Sequence, residues 1–198
     1  VVVDSVSATS SISGTSYVGG LIGYAVNGSS TLTNAYVLNT NVSGTNFVGG
    51  MIGQSYVTTT NAHKTGNVTG TSYNVGGMFG YNYSTLSNVD SVGDVSGVYS
   101  VGGLVGDAAY SSISNSFAVG SVTGTSYQVG GLLGNYLGGS LTSTSAGGAA
   151  KTVSGTYFIG GLIGRAGPSS GLSSINISNS SFSGRSISAT GTTTTITT

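Results

Sequence analysis

His63 is the only histidine in the chain, and the spacing brings an aspartate to its side. His63 follows Asn61 by two residues, and Asp90 follows Asn88 by two. Tyr36 and Phe117 hold the same offset after Asn34 and Asn115. If these positions stack, His63 and Asp90 can share a hydrogen bond, and a general base is conceivable there. The same spacing places no nucleophile, so the chain is expected to be non-catalytic. Gly167-Pro168-Ser169-Ser170-Gly171 matches the string of a serine-hydrolase elbow. That elbow needs a strand-to-helix turn and a triad histidine. Its surroundings here read as an irregular loop, and the match is read as chance.

Other chemistries have little material. The acids are four aspartates, Asp4, Asp90, Asp94 and Asp107, and they recur at no common repeat position. A calcium-binding β-roll would carry an Asp in every repeat, so no metal is expected. Asp90 and Asp94 are the only close pair and read as solvated. There is no cysteine, which removes zinc–thiolate sites and disulfides. No phosphate-loop motif occurs, and no cofactor is expected. Four Lys or Arg and a formal charge of zero leave no basic face for nucleic acid. Apolar runs are short and broken by glycine, so no membrane span is expected. With 37% hydrophobic and 4% charged residues the chain favours packing over disorder.

The elements that must position these residues come from a repeat. VGGLIG (Val18–Gly23) returns as VGGMIG (Val48–Gly53), VGGMFG (Val75–Gly80), VGGLVG (Val101–Gly106), VGGLLG (Val129–Gly134) and IGGLIG (Ile159–Gly164). The intervals are 30, 27, 26, 28 and 30 residues, a repeat-architecture period. Asn34, Asn61, Asn88 and Asn115 are each 27 apart, with Ser143 and Asn179 at the matching place later. Val-Ser/Thr-Gly precedes each phrase, as in Val42–Gly44 and Val68–Gly70. The stretches are four to seven residues long, bounded by Gly, Ser, Asn or Thr, which is strand length and punctuation. Thirty-six glycines oppose helix.

The expected fold is all-β: a parallel β-solenoid of about six to seven coils, roughly 27 residues and three short strands each. One domain is expected over 1–198, with a partial N-terminal coil over 1–14, six repeats over 15–191 and a partial C-terminal strand over 192–198. Val18, Val48, Val75, Val101, Val129 and Ile159 should form one inward column, and Ile22, Ile52, Phe79, Val105, Leu133 and Ile163 another. Strict alternation would put Leu21, Met51, Met78, Leu104, Leu132 and Leu162 outside, unless the double glycine turns them in; the pattern leaves both open. The Asn column, Asn34, Asn61, Asn88, Asn115 and Asn179, is expected to form an amide ladder.

Three surface features are candidate sites. Tyr17, Phe47, Tyr73, Tyr99, Tyr127 and Tyr157 precede the glycine phrases and would stack as one aromatic column. Such a face can meet sugar rings or a second subunit, or simply cover a corner. Asn27, Asn41, Asn67, Asn82, Asn176 and Asn179 begin Asn-x-Ser/Thr sequons and are possible glycosylation sites. Ser13/Thr15, Ser43/Thr45, Thr69/Thr71, Thr123/Thr125 and Ser154/Thr156 make two hydroxyl rows, interrupted by Val98, that resemble the flat arrays of ice-binding solenoids.

The repeated phrase resembles the GLUG motif, named for Gly-Leu-hydrophobic-Gly, over about Ile12 to Gly164 and more loosely to Gly191. Met51 and Met78 replace its leucine. The resemblance implies an extracellular, surface-attached or adhesive β-solenoid of the kind found in large bacterial surface proteins. It names no receptor. Val1–Gly14 reads as the second part of a coil and Thr192–Thr198 as the start of another. Head-to-tail assembly into a filament, or continuation within a longer adhesin stalk, is therefore the expected role. A glycan- or surface-binding module is the alternative.

Overall fold

The computed structural model describes residues 2–26, 28–167 and 174–189. Asn27, the Pro168–Gly171 part of the elbow string, Gly191 and Thr192–Thr198 lie outside the described residues. Every regular element among those described is a β-strand, and every strand pairing is parallel. The chain winds as a β-solenoid.

One coil serves for all. Thr31–Val37 lies in sheet 1, Val42–Gly44 in sheet 2, Asn46–Gly49 in sheet 3 and Ile52–Ser55 in sheet 4. Thr58–Thr65 then returns to sheet 1, one rung on. The spacing predicts about three strands per coil; the fold has four, because the glycine phrase is two strands and not one. Gly50-Met51 is the bend between them. The two strands face each other at backbone distance. A Cβ on Gly49 would lie 1.9 Å from the Ile52 carbonyl oxygen, and one on Gly53 would lie 2.7 Å from that of Phe47. Close approach, not an unusual φ, is what demands glycine at the first and last positions of the phrase.

That bend settles the Leu/Met column. Met51, Met78, Leu104 and Leu132 are fully buried, beside Ile52, Phe79, Val105 and Leu133. Reversal at the double glycine turns two successive side chains into one core. Sheets 1 and 4 close over this core, which also takes Leu32, Ala62, Leu86, Val89 and Ile113. A second core, almost all valine, lies between sheets 2 and 3. It pairs the column Val42, Val68, Val95, Val122, Val153 with the column Val18, Val48, Val75, Val101, Val129, Ile159. The two predicted inward columns are both inward, in separate cores.

Sheets 2, 3 and 4 contain seven, six and six strands. Sheet 1 contains ten because some rungs are split, as where Ile113–Ser114 and Phe117–Val119 both pair with Leu86–Val92. The split falls at Asn115, in the left-handed region at φ 48°. Asn34, Asn61, Asn88, Ser143 and Asn179 share that conformation, with φ between 50° and 55°. Asparagine tolerates it better than most side chains, which accounts for the 27-residue Asn signal.

Candidate functional site

The six aromatics that precede the glycine phrases do not form one column. In sheet 3 the residue before each core valine is left-handed: Tyr17, Phe47, Asn74, Ser100, Gln128 and Phe158, with φ of 49° to 64°. Tyr73, Tyr99, Tyr127 and Tyr157 stand one residue earlier, level with Ser16 and Asn46. The register splits because the segment between the Val-Ser/Thr-Gly strand and the core valine varies by one residue from coil to coil. Two ring series result. Tyr99, Tyr127 and Tyr157 stack nearly parallel, at centroid spacings of 5.6 and 4.7 Å. Tyr17 stacks on Phe47 at 5.0 Å, and Phe47 meets Tyr73 edge-on at 5.1 Å.

The second series belongs to a larger surface. Tyr24, Tyr56, Tyr83 and Tyr110 run along the edge of sheet 4 through four successive coils, at 6.2, 5.7 and 4.8 Å. Tyr17 touches Tyr24 at 5.3 Å, and Tyr81 bridges Phe47 and Tyr56 at 6.4 and 6.1 Å. Eight rings thus form one continuous platform. Tyr17, Tyr24, Tyr73, Tyr83 and Tyr110 are each 41% or more exposed. Five of the eight rings carry no signal in the repeat phrase. Their spacing across coils is irregular in sequence, and the chain's twelve tyrosines offered the only hint.

A polar line continues from the platform along sheet 4. Tyr24, Gln54, Tyr81, Asp107, Asn135 and Arg165 are ladder neighbours in that order. Gln54 Nε2 donates to the Tyr56 hydroxyl at 2.9 Å. Asn135 Nδ2 donates to Asp107 at 3.3 Å, and Arg165 Nη1 donates to Asn135 Oδ1 at 3.0 Å. Burial pushes the Asp107 carboxyl up to about 6, against the Asn135 hydrogen bond and the Arg165 charge. Burial, with neighbouring tyrosines and Asp107, raises the Tyr81 phenol to about 12.

His63 and Asp90 do meet, Nδ1 to Oδ2, with side chains 34% and 18% exposed. Their outer ladder neighbours are Tyr36 and Phe117. Burial raises the Asp90 carboxyl, and the His63 hydrogen bond opposes it. Asp94 is held apart from Asp90. It accepts from the Ser121 backbone N–H at 2.8 Å and from Lys151 Nζ at 2.9 Å, and these contacts hold its carboxyl below the usual range. No cluster of three or more metal-ligating side chains occurs among the described residues. No helix among them is long and apolar enough to cross a membrane.

The Asn ladder is continuous at one end. Asn34 Nδ2 donates to Asp4 at 2.7 Å, Asn61 to Asn34 at 3.4 Å and Asn88 to Asn61 at 2.7 Å. Asn115 and Asn179 keep the same backbone conformation and are exposed. The sequons separate by burial. Asn82 is fully buried and donates to Ser84 O at 2.8 Å and Ser111 Oγ at 2.9 Å, so a glycan on it has no room in this fold. Asn41, Asn67, Asn176 and Asn179 are exposed. In Asn41 and Asn67 the Oδ1 accepts a backbone N–H from the next coil, that of Asn67 and of Asp94 respectively, each at 2.9 Å.

On sheet 2, Ser13, Ser43, Thr69, Ser96, Thr123, Ser154 and Ser188 form an unbroken hydroxyl row. Ser96 donates to Thr69 at 3.2 Å and Ser154 to Thr123 at 3.4 Å. The threonine row beside it is broken by Val98, and its register shifts. The Thr45 N–H meets Thr15 O, whereas the Thr71 N–H meets Gly44 O. A second hydroxyl row, absent from the sequence reading, runs on sheet 1 through Thr33, Thr60, Ser87, Ser114, Thr142 and Ser178.

These features define a class: a parallel β-solenoid whose repeat is a glycine-hinged pair of strands. The model of the GLUG motif matches residues 97–123, about one coil in length. The other coils carry the same glycine phrase in register, and the chain is built of GLUG-motif repeats. No curated protein and no solved structure matches the chain.

Proposed function

We propose that the chain is a non-enzymatic, extracellular structural or adhesive rod. It serves as the unit of a surface filament joined head to tail, or as a section of an adhesin stalk. The observation that carries this reading is the unbroken parallel ladder. Four sheets keep register through every described coil, and the cores run as continuous columns along the axis. Each coil is supported by its neighbours, so length can grow without a new fold. At the first coil Leu21 and Ile22 are only partly buried, whereas the same columns are fully buried further in. Open strand edges and open apolar columns favour a further coil on that face.

Electron microscopy of the purified chain tests it. Stiff filaments with a subunit repeat of roughly 30 Å, the height of six to seven rungs, are expected for head-to-tail assembly. Monodisperse short rods at all concentrations would remove the filament and leave the stalk. Compact particles without an axis would remove both.

A further inference from the structure

We propose that the eight-ring platform on sheets 3 and 4 binds a linear, uncharged polysaccharide lying along the solenoid axis. The proposal rests on the adhesive reading for its biological sense and names the ligand class that reading lacks. A contiguous exposed aromatic surface of this size is a binding feature, not an ordinary stretch of protein exterior. Its rings are tyrosines except Phe47, so each presents an apolar body with a hydroxyl at the tip. That combination fits a sugar ring, which has an apolar C–H face and a rim of hydroxyls. Tyr24–Tyr56 and Tyr56–Tyr83, at 82° and 35°, and Tyr83–Tyr110, at 42°, are not flat stacks, so ring faces stay open to a ligand. The Tyr99–Tyr127–Tyr157 series, at 13° and 16°, uses its faces on itself and lacks this property.

Two further features fix the occupant. The rings follow successive coils, so the surface is a line parallel to the axis and suits an extended polymer. The platform itself carries no charged side chain, and the nearest ones, Asp107 and Arg165, are joined through Asn135. An ionic partner would find no counter-charge there. Backbone strain points the same way. Tyr17 and Phe47 hold left-handed φ of 54° and 50° where other coils use Asn74, Ser100 and Gln128. A bulky side chain kept in that conformation marks a position chosen for its ring.

Affinity electrophoresis through gels containing a neutral linear glucan, mannan or xylan is the test, with tyrosine fluorescence as a second readout; the chain has no tryptophan. Retardation in at least one gel is expected. The Tyr83→Ala/Tyr110→Ala double variant should bind about tenfold more weakly. Tyr83→Phe should bind within a few-fold of the parent, and Tyr157→Ala, in the separate stack, should bind unchanged. Circular dichroism confirms that each variant is folded. Lack of retardation in all three gels would overturn the proposal, as would equal loss in Tyr157→Ala. Concentration-dependent self-association abolished by the same double variant would also overturn it, by making a second copy of the chain the occupant. Each of these failures leaves the rod seen by microscopy untouched, so the two readings fail separately.

Discussion

Lys64 donates its Nζ to the carbonyl oxygen of Gly66, two residues along the chain, from a position with no solvent exposure. The column it occupies holds Val37 one rung below, and Ser91 and Ala118 above. A cation therefore sits where its neighbours are small and uncharged. Burial draws its pKa down from 10.5 to about 8. Below pH 8 both folded and unfolded chains are protonated, and the full penalty is present. Between pH 8 and 10.5 the folded chain releases its proton first, so stability should rise with pH by on the order of 3 kcal/mol. Urea unfolding across that range measures it. Lys64→Met, which keeps the length and removes the charge, should be more stable at pH 7 and should flatten the rise. An unchanged pH slope in Lys64→Met would contradict this account.

Asp107 carries the opposite sign. Its carboxyl is raised from 3.8 to about 6, chiefly by burial. Between pH 4 and 6 the folded chain binds more protons than the unfolded one, so stability should fall as pH rises. The drop is at most about 3 kcal/mol. Asp107→Asn preserves an acceptor for Asn135 and should be insensitive to pH in this window. Chemical denaturation at pH 4 and pH 7, in both proteins, separates the Asp107 contribution from the rest.

Coil length, strand punctuation and the two inward columns were legible in the sequence, because stacking forces equivalent residues into one period. The fourth strand was not. Val48-Gly49-Gly50-Met51-Ile52-Gly53 looks like one alternating strand, and nothing in its composition marks the reversal at Gly50-Met51. That reversal also decides the Leu/Met column, which alternation alone sends outward. The aromatic column failed for a related reason. A single extra residue between Gly70 and Val75, relative to Gly44 and Val48, moves Tyr73 off the position of Phe47 without disturbing the valines. The larger platform escaped because Tyr24, Tyr56, Tyr83 and Tyr110 lie near corners, where insertions erase the period while the fold keeps the rings together. His63 and Asp90 lie within a sheet 1 strand, where the period holds, and their pairing could be read directly.

Asn88 tests the backbone side of the Asn column. Its φ is 55°, and its Nδ2 donates to Asn61 at 2.7 Å. Asn88→Gly loses the amide but keeps the left-handed conformation; Asn88→Ala loses both. Alanine should therefore cost about 1 kcal/mol more than glycine. Thermal or urea unfolding of the two variants decides it. Equal losses would mean that the exposed amide ladder, and not the backbone, is what asparagine supplies.

Gly80 tests the hinge on which the fold depends. It is the last glycine of its phrase, and a Cβ there would lie 2.6 Å from Gly53 O and 2.7 Å from the backbone N of Val48. Both obstacles are backbone, so no side chain can turn aside; sheets 3 and 4 would have to separate. Gly80→Ala should destabilise the chain by about 3 kcal/mol, in the range of overpacked cores. Gly28 is the control, because a Cβ there meets only Tyr56 O, at an ordinary 3.6 Å. Gly28→Ala should change stability by less than about 1 kcal/mol. Since neighbouring coils hold each other in register, the damage in Gly80→Ala should extend beyond its own coil. Hydrogen exchange should quicken at Val48 and Val101, the ladder neighbours of Val75 on either side, before it quickens at Ile159. Uniform loss of protection along the axis would instead show that the coils unfold as one unit.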